Sequence, residues 1–305
     1  MKIFYLLLFC SLWANDHYVL KGNFDYVNIY QHEDMILMKN MAASLIEQPK
    51  NPKHSHLSDI SRTDMVLSLH KHSYVSVSHD QDKLLIDCYD IEDDTGRFYI
   101  LLDSGHGGKD TGAVTKSGLK EKHVTLAYTK KLQKHLEHPL LKIGLTRTHD
   151  THVDKYDRLK MVLEENPYLL FSIHADAYIK PEASGVGLFY LDESTGSNLS
   201  QKMIKPYGVN QNKKKASKKL ANQIVKGLAG HYKLHVHHAL SLPLVILRSP
   251  VCLSILLELG FISNPREAAL LSNENYLDGF ASDMANLLIT TILENEKIIF
   301  TAKNH

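Results

Sequence analysis

The sequence predicts an α/β fold: a mostly parallel central sheet of about six strands flanked by helices, with a small β-rich region ahead of it. Three observations carry that prediction. From Phe98 onward, apolar runs of strand length recur along the chain. Between several of them lie longer segments whose apolar residues fall at helical spacing. The strand runs are apolar on both faces, as parallel strands covered by helices on both sides must be.

Taken in order, the chain opens with MKIFYLLLFCSLWAN, in which Lys2 precedes an apolar stretch from Ile3 to Trp13 and then Ala14. That is the order of a secretory signal, and the stretch is too short for a permanent membrane span. Residues 1–15 are therefore expected to be a signal peptide, and the protein periplasmic or otherwise exported. Residues 16–97 are expected to form the small β-rich region. Within it IEQPKNPKHSHLSD (46–59) reads as a loop, because Pro49 and Pro52 interrupt any period. MVLSLH (65–70), YVSVSH (74–79) and KLLIDCY (83–89) read as short strands.

The larger unit is expected at 98–295, with a C-terminal tail at 296–305. Its predicted strands are FYILLD (98–103), KIGLTR (142–147), YLLFSIH (168–174), GVGLFYL (185–191), PLVILR (243–248) and SILLEL (254–259). Helical periodicity covers 123–137, 156–166, 215–232 and 276–293. A chain of 305 residues with 44% hydrophobic content supports such a division into one large and one small unit.

Composition narrows the partners. The 35 basic residues nearly cancel the 34 acidic ones, which leaves no charge excess of the kind nucleic acid binding needs. Histidine is abundant at 19 residues, and imidazole is the commonest protein ligand for metals. With Cys10 inside the signal, Cys88 and Cys252 are too few for a disulfide framework.

In open α/β sheets, ligands bind beyond the carboxyl ends of the strands. DSGHGG places His106 there after the first strand, SIHAD places His174 after the third, and LLELGF places Glu258 on the last. GLKEKH adds Glu121 near the start of the first long helix. Taken singly, His174 reads as a hydrogen-bonded core histidine and Glu121 as a carboxylate favoured by the helix dipole. The glycine loop lacks the spacing of a nucleotide site. Glu258, following SILL, is costly to bury without a partner. Together, two imidazoles and one carboxylate with a fourth position open match a catalytic zinc site, and Glu258 is placed to take a proton from activated water. HVHH (235–238) reads as surface histidines, since no acid or cysteine lies in the run.

Five stretches then resemble the zinc-dependent N-acetylmuramoyl-L-alanine amidases of bacterial cell walls: LLDSGHGGKDTGA (101–113), GLKEKHVTLAYTKKL (118–132), LTRTHD (145–150), LLFSIHADA (169–177) and LLELGFISNPREAALL (256–271). They occur in the family's order. The resemblance implies that His106, Glu121 and His174 hold one Zn2+ per chain and that Glu258 is the catalytic acid/base. It implies hydrolysis of the amide between the lactyl group of N-acetylmuramic acid and L-alanine, with peptidoglycan as substrate and an activator protein as a candidate partner. The alternatives are an inactive peptidoglycan-binding protein and a zinc peptidase acting on stem peptides. Ser104 and His123 depart from the family's usual proline and acid or amide. Asp110, Arg147 and Arg158 match recurrent positions and read as residues that shape the site. Some relatives carry a helix that plugs the site; between Tyr190 and Leu220 this chain is mainly basic, amide and loop-forming, so no plug is expected. The β-rich region of the family targets the wall in several members, which makes wall targeting the expectation for residues 16–97.

Overall fold

The computed structural model describes eight strands between residues 16 and 90, and residues 95–192, 210–231, 235–296 and 298–300. The expected signal peptide and most of the segment searched for a plug, residues 193–209, lie outside the described residues. The chain divides into two compact units, one from residues 1–95 together with 292–305 and one from residues 96–291.

The first unit contains β1 (Asp16–Asn23), β2 (Asn28–His32), β3 (Met35–Lys39), β4 (Ala42–Glu47), β5 (Ser55–Asp59), β6 (Met65–Leu69), β7 (Ser73–Asp80) and β8 (Lys83–Asp90). These strands pair antiparallel in two sheets. One runs β2-β3-β6-β5; the other runs β15-β7-β8-β1-β4, with β15 (Ile298–Phe300) drawn from beyond the second unit. Leu84, Ile86 and Cys88 alternate along β8 and are buried, as a strand with one face on a core requires. The stretch 46–59, expected as a loop, instead holds the end of β4 and all of β5. β4 pairs with β1, well upstream in the chain, and β5 pairs with β6 across a short connection, so neither strand shows itself within the stretch 46–59 alone.

The second unit is the predicted α/β fold. Its six-stranded sheet is built from β9 (Phe98–Ser104), β10 (Leu141–Leu145), β11 (Leu169–Asp176), β12 (Gly187–Tyr190), β13 (Leu240–Ser241) and β14 (Leu253–Phe261), in the order β10-β9-β11-β14-β12-β13. Only the β12–β14 pair is antiparallel. The central strands β9, β11 and β14 are buried over nearly their whole length. Among the described residues the helices are α1 (Glu121–His135), α2 (Lys155–Glu165), α3 (Gln211–His231), α4 (Pro265–Leu271) and α5 (Glu274–Asn295). Local chemistry sets several of their ends. Asp154 caps α2 by accepting from the Tyr156 N–H at 2.8 Å, and Asn264 caps α4 just ahead of Pro265. No helix among the described residues is long and apolar enough to cross a membrane.

One predicted strand is corrected. PLVILR forms a 3-10 helix at Val245–Arg248, and the sheet's sixth strand is Leu240–Ser241 instead. Ile246 and Leu247 are buried by the tight turn, and Arg248 closes it by donating to the Pro243 carbonyl at 2.6 Å. A short apolar run satisfies either geometry, so periodicity alone did not separate them. Cys88 and Cys252 are both buried.

Candidate metal centre

Strand register and one helix start bring the predicted residues together. His106 follows β9, His174 lies near the end of β11, and Glu121 is the first residue of α1. His174 stands directly across from Glu258 of the neighbouring β14, so the two side chains leave the same face of the sheet side by side. The ligand atoms of His106, Glu121 and His174 all lie within 4.8 Å of one another.

Glu121 is the centre of this cluster. Its Oε1 lies 3.0 Å from His106 Nε2 and 3.0 Å from His174 Nδ1, and accepts from the Ala175 N–H at 3.1 Å. Its Oε2 accepts from the Ala113 N–H at 2.9 Å. Burial pushes the Glu121 carboxyl up, but the hydrogen bonds from both imidazoles outweigh it and hold the group well below the usual carboxylate range. His123 is not part of the cluster: its ring is exposed and lies 3.7 Å from Asp150.

The rings are oriented from behind. Asp110 takes the Nδ1 of His106 at 2.9 Å, leaving Nε2 to face the cluster, the usual way in which a carboxylate sets the tautomer of a ligand histidine. His106 has φ of 60°, an uncommon backbone for a side chain of this size, and its carbonyl is held by Arg158 at 2.6 Å. Two glycines make room. A Cβ on Gly105 would sit 2.4 Å from His174 Cε1, and one on Gly112 would sit 2.4 Å from Glu121 Oε2. Gly112 also lies against the His106 ring, so the cluster depends on bare backbone beside all three of its side chains.

Beneath it lies a buried polar frame. Asp103 accepts from Thr146 and Ser172, each at 2.7 Å, and pairs with Arg158. Burial raises the Asp103 carboxyl, but Arg158 and the two hydroxyls outweigh it and hold the group below its ordinary value. Arg147 donates to the carbonyls of Ser104 at 3.0 Å, Gly105 at 2.8 Å and Lys122 at 2.9 Å, tying the glycine loop to α1. Both arginines thus shape the site, as the sequence implied.

Glu258 is set apart from the ligands. Burial lifts its carboxyl well above the ordinary carboxylate range, and the negative charges of Asp176 and Glu121 add to the effect. Its Oε2 is buried and makes no hydrogen bond within the protein. An acid in that state is ready to hold a proton and to exchange it with whatever enters the site.

Two residues of the neighbourhood escaped the sequence reading. Asp176 shares the face of His174 by strand alternation, and burial raises its carboxyl against the opposing pull of the Ala177 N–H, His174 and His237. Counting two residues on from His174 was enough to find it. Glu267 of α4 accepts from the Gly185 N–H at 2.7 Å and the Phe261 N–H at 2.6 Å, tying the entry to β12 to the end of β14. No sequence pattern announces that role.

The donor set fits a divalent cation. Two imidazole nitrogens and one carboxylate oxygen, with a side left open, form the ligand pattern of a catalytic zinc site. Glycine backbone keeps the approach clear, and an unpartnered buried carboxyl oxygen lies in the same neighbourhood.

Comparison with known proteins agrees on the identity of this domain. The sequence profile of the N-acetylmuramoyl-L-alanine amidase family matches residues 100–290. The amidase AmiA of Escherichia coli (strain K12) is 31% identical over 220 residues, covering 64% of this chain and 76% of that protein. AmiA of Salmonella typhimurium is 32% identical over 217 residues, covering 63% and 75%. Among solved structures, the catalytic domain of the amidase CwlV from Bacillus (Paenibacillus) polymyxa var. colistinus aligns with TM-score 0.54 at 26% identity, over 64% of this chain and 98% of that one.

Proposed function

The chain belongs to the N-acetylmuramoyl-L-alanine amidase family, and from that premise we propose that it is a zinc-dependent peptidoglycan hydrolase in which His106, Glu121 and His174 hold the metal and Glu258 is the acid/base. The bond cut is the amide between the lactyl group of N-acetylmuramic acid and L-alanine. The observation that carries the assignment is the convergence of the three ligand atoms within 4.8 Å.

When bound, zinc supplies a Lewis acid that polarises an amide carbonyl and lowers the pKa of water to about 7. The rest falls to the chain's own residues. Asp110 and the frame of Arg147 and Arg158 hold His106 in one orientation. Glu258 takes the proton of the attacking water and passes it to the departing amine, which leaves as the free N-terminus of the stem peptide. Its raised affinity for protons suits the second half of that transfer. No covalent intermediate is needed. Peptidoglycan lies outside the cytoplasm, so export through the leader-like residues 1–15 belongs to the same proposal, and wall targeting by the first unit to its extension.

Product analysis tests it. Purified protein should hold about one zinc per chain, and should release glycan bearing an intact lactyl group and peptide beginning with L-alanine. Chelation should stop the reaction. Glu258→Gln should keep the metal and the fold while losing about 10²- to 10⁴-fold in turnover. Peptide fragments cut within the stem would replace the amidase assignment with a peptidase one.

A further inference from the structure

The sheet carries one more polar side chain in the same rank as the metal cluster. His174 pairs with Glu258, and Glu258 pairs on its other side with Gly187 of β12. Next to β12, Val186 pairs in parallel with Val236, so one residue further on Gly187 stands level with His237. Paired residues on adjacent strands project from the same face. Reading across the sheet, the rank is therefore His174, Glu258, Gly187, whose bare backbone is covered by the edge of the Phe189 ring, and His237.

His237 is firmly mounted. Its Nε2 lies 2.8 Å from the Ser184 carbonyl, so Nε2 carries the proton and donates, which leaves Nδ1 as the ring's acceptor. The ring packs edge-on against His235 with centroids 4.5 Å apart. Gly185 gives it room, since a Cβ there would sit 2.9 Å from Nε2. Glu267 clamps the Gly185 N–H at 2.7 Å and so holds the loop that carries the Ser184 carbonyl. The expectation that 235–238 are merely surface histidines holds for His235 and His238, which are exposed, but not for the half-buried His237.

Resting on the reading of Glu258 as the residue that protonates the departing amine, we infer that His237 is a substrate-binding residue that accepts a backbone N–H of the stem peptide across the Phe189 ring that covers Gly187. The departing amine must lie at Glu258, and the peptide continues from that amine. The ligand side of Glu258 is taken by His174 and the metal cluster, which leaves the Gly187 side, where the Phe189 ring lies over bare backbone as an apolar floor. Two strand spacings separate Glu258 from His237, about 10 Å. With about 3 Å taken up by the hydrogen bond itself, about 7 Å remains, which an extended peptide covers in about two steps of 3.4 Å, so His237 meets the N–H of about the third residue of the stem. This makes the slot a reader of peptide length and not of glycan.

Calorimetric titration of the zinc-loaded full chain carrying Glu258→Gln tests this, with muramyl-tripeptide and muramyl-L-alanine as the two ligands. Adding His237→Ala should weaken the tripeptide by about three- to tenfold, the range of one neutral hydrogen bond. It should leave muramyl-L-alanine affinity and zinc content unchanged. Equal weakening of both ligands, no weakening of either, or no preference for the tripeptide before His237 is changed would overturn the inference. Failure of the amidase reading shows up separately, as intact muropeptide after incubation with the unmodified protein.

Discussion

One methyl group at residue 105 would occupy the place of the His174 ring, whose atoms come within 2.4 to 2.7 Å of where that carbon would sit. For the zinc site proposed above, Gly105→Ala should therefore swing the His174 ring out of line, costing about 10- to 100-fold in zinc affinity, the range for a change just behind a metal ligand. Competition with a chelating dye measures it, and an unchanged circular dichroism spectrum separates it from misfolding. Glu258 makes the opposite case, in which the acid/base role proposed for it opposes stability. Its carboxyl is raised in the folded protein, so above the ordinary carboxylate pKa of about 4.3 its charge is a burden that grows with pH until the folded value is passed. In chelated protein, Glu258→Gln should thus raise the melting temperature at neutral pH even as it removes turnover. His106, His174 and Glu258 stand out in the sequence because each interrupts an apolar or glycine-rich stretch at an element's end, whereas Glu121, in the charged run GLKEKH, stands out only by its place at a helix start and by the family resemblance. His237 was not, because its significance lies in cross-strand register, which a single sequence does not display.

Among elements, β9, β11 and α2 meet through Asp103, Ser172 and Arg158, all buried. Breaking a buried pair by removing one partner leaves a stranded charge and costs about 3–5 kcal/mol. Asp103→Asn should destabilise the second unit by that order at pH 7. Because the folded Asp103 carboxyl lies below its unfolded value, its contribution is complete above about pH 4 and fades as pH falls through the folded value. The gap in melting temperature between wild type and variant should accordingly narrow between pH 5 and the acid limb, as read by calorimetry. The sequence showed the long helices and buried strands of this unit well, since period and length agree there. It misread PLVILR, where the short apolar run 244–247 satisfied two geometries, and missed the strands before Met65, where short runs show no clear alternation on their own.

At the scale of the molecule, β15 completes the sheet of the first unit by pairing with β7, register Ile298 to Ser76 through Phe300 to Tyr74. Removing residues from 297 onward should uncover the β7 edge, an invitation to association with other chains. Hydrogen exchange should then quicken in residues 73–80, while zinc affinity of the second unit stays as it was. The same pairing has a temporal side. A chain emerging vectorially presents β7 early and β15 only after the entire hydrolytic unit, so the first unit must wait, with one margin unfinished, until its enclosed neighbour has been delivered.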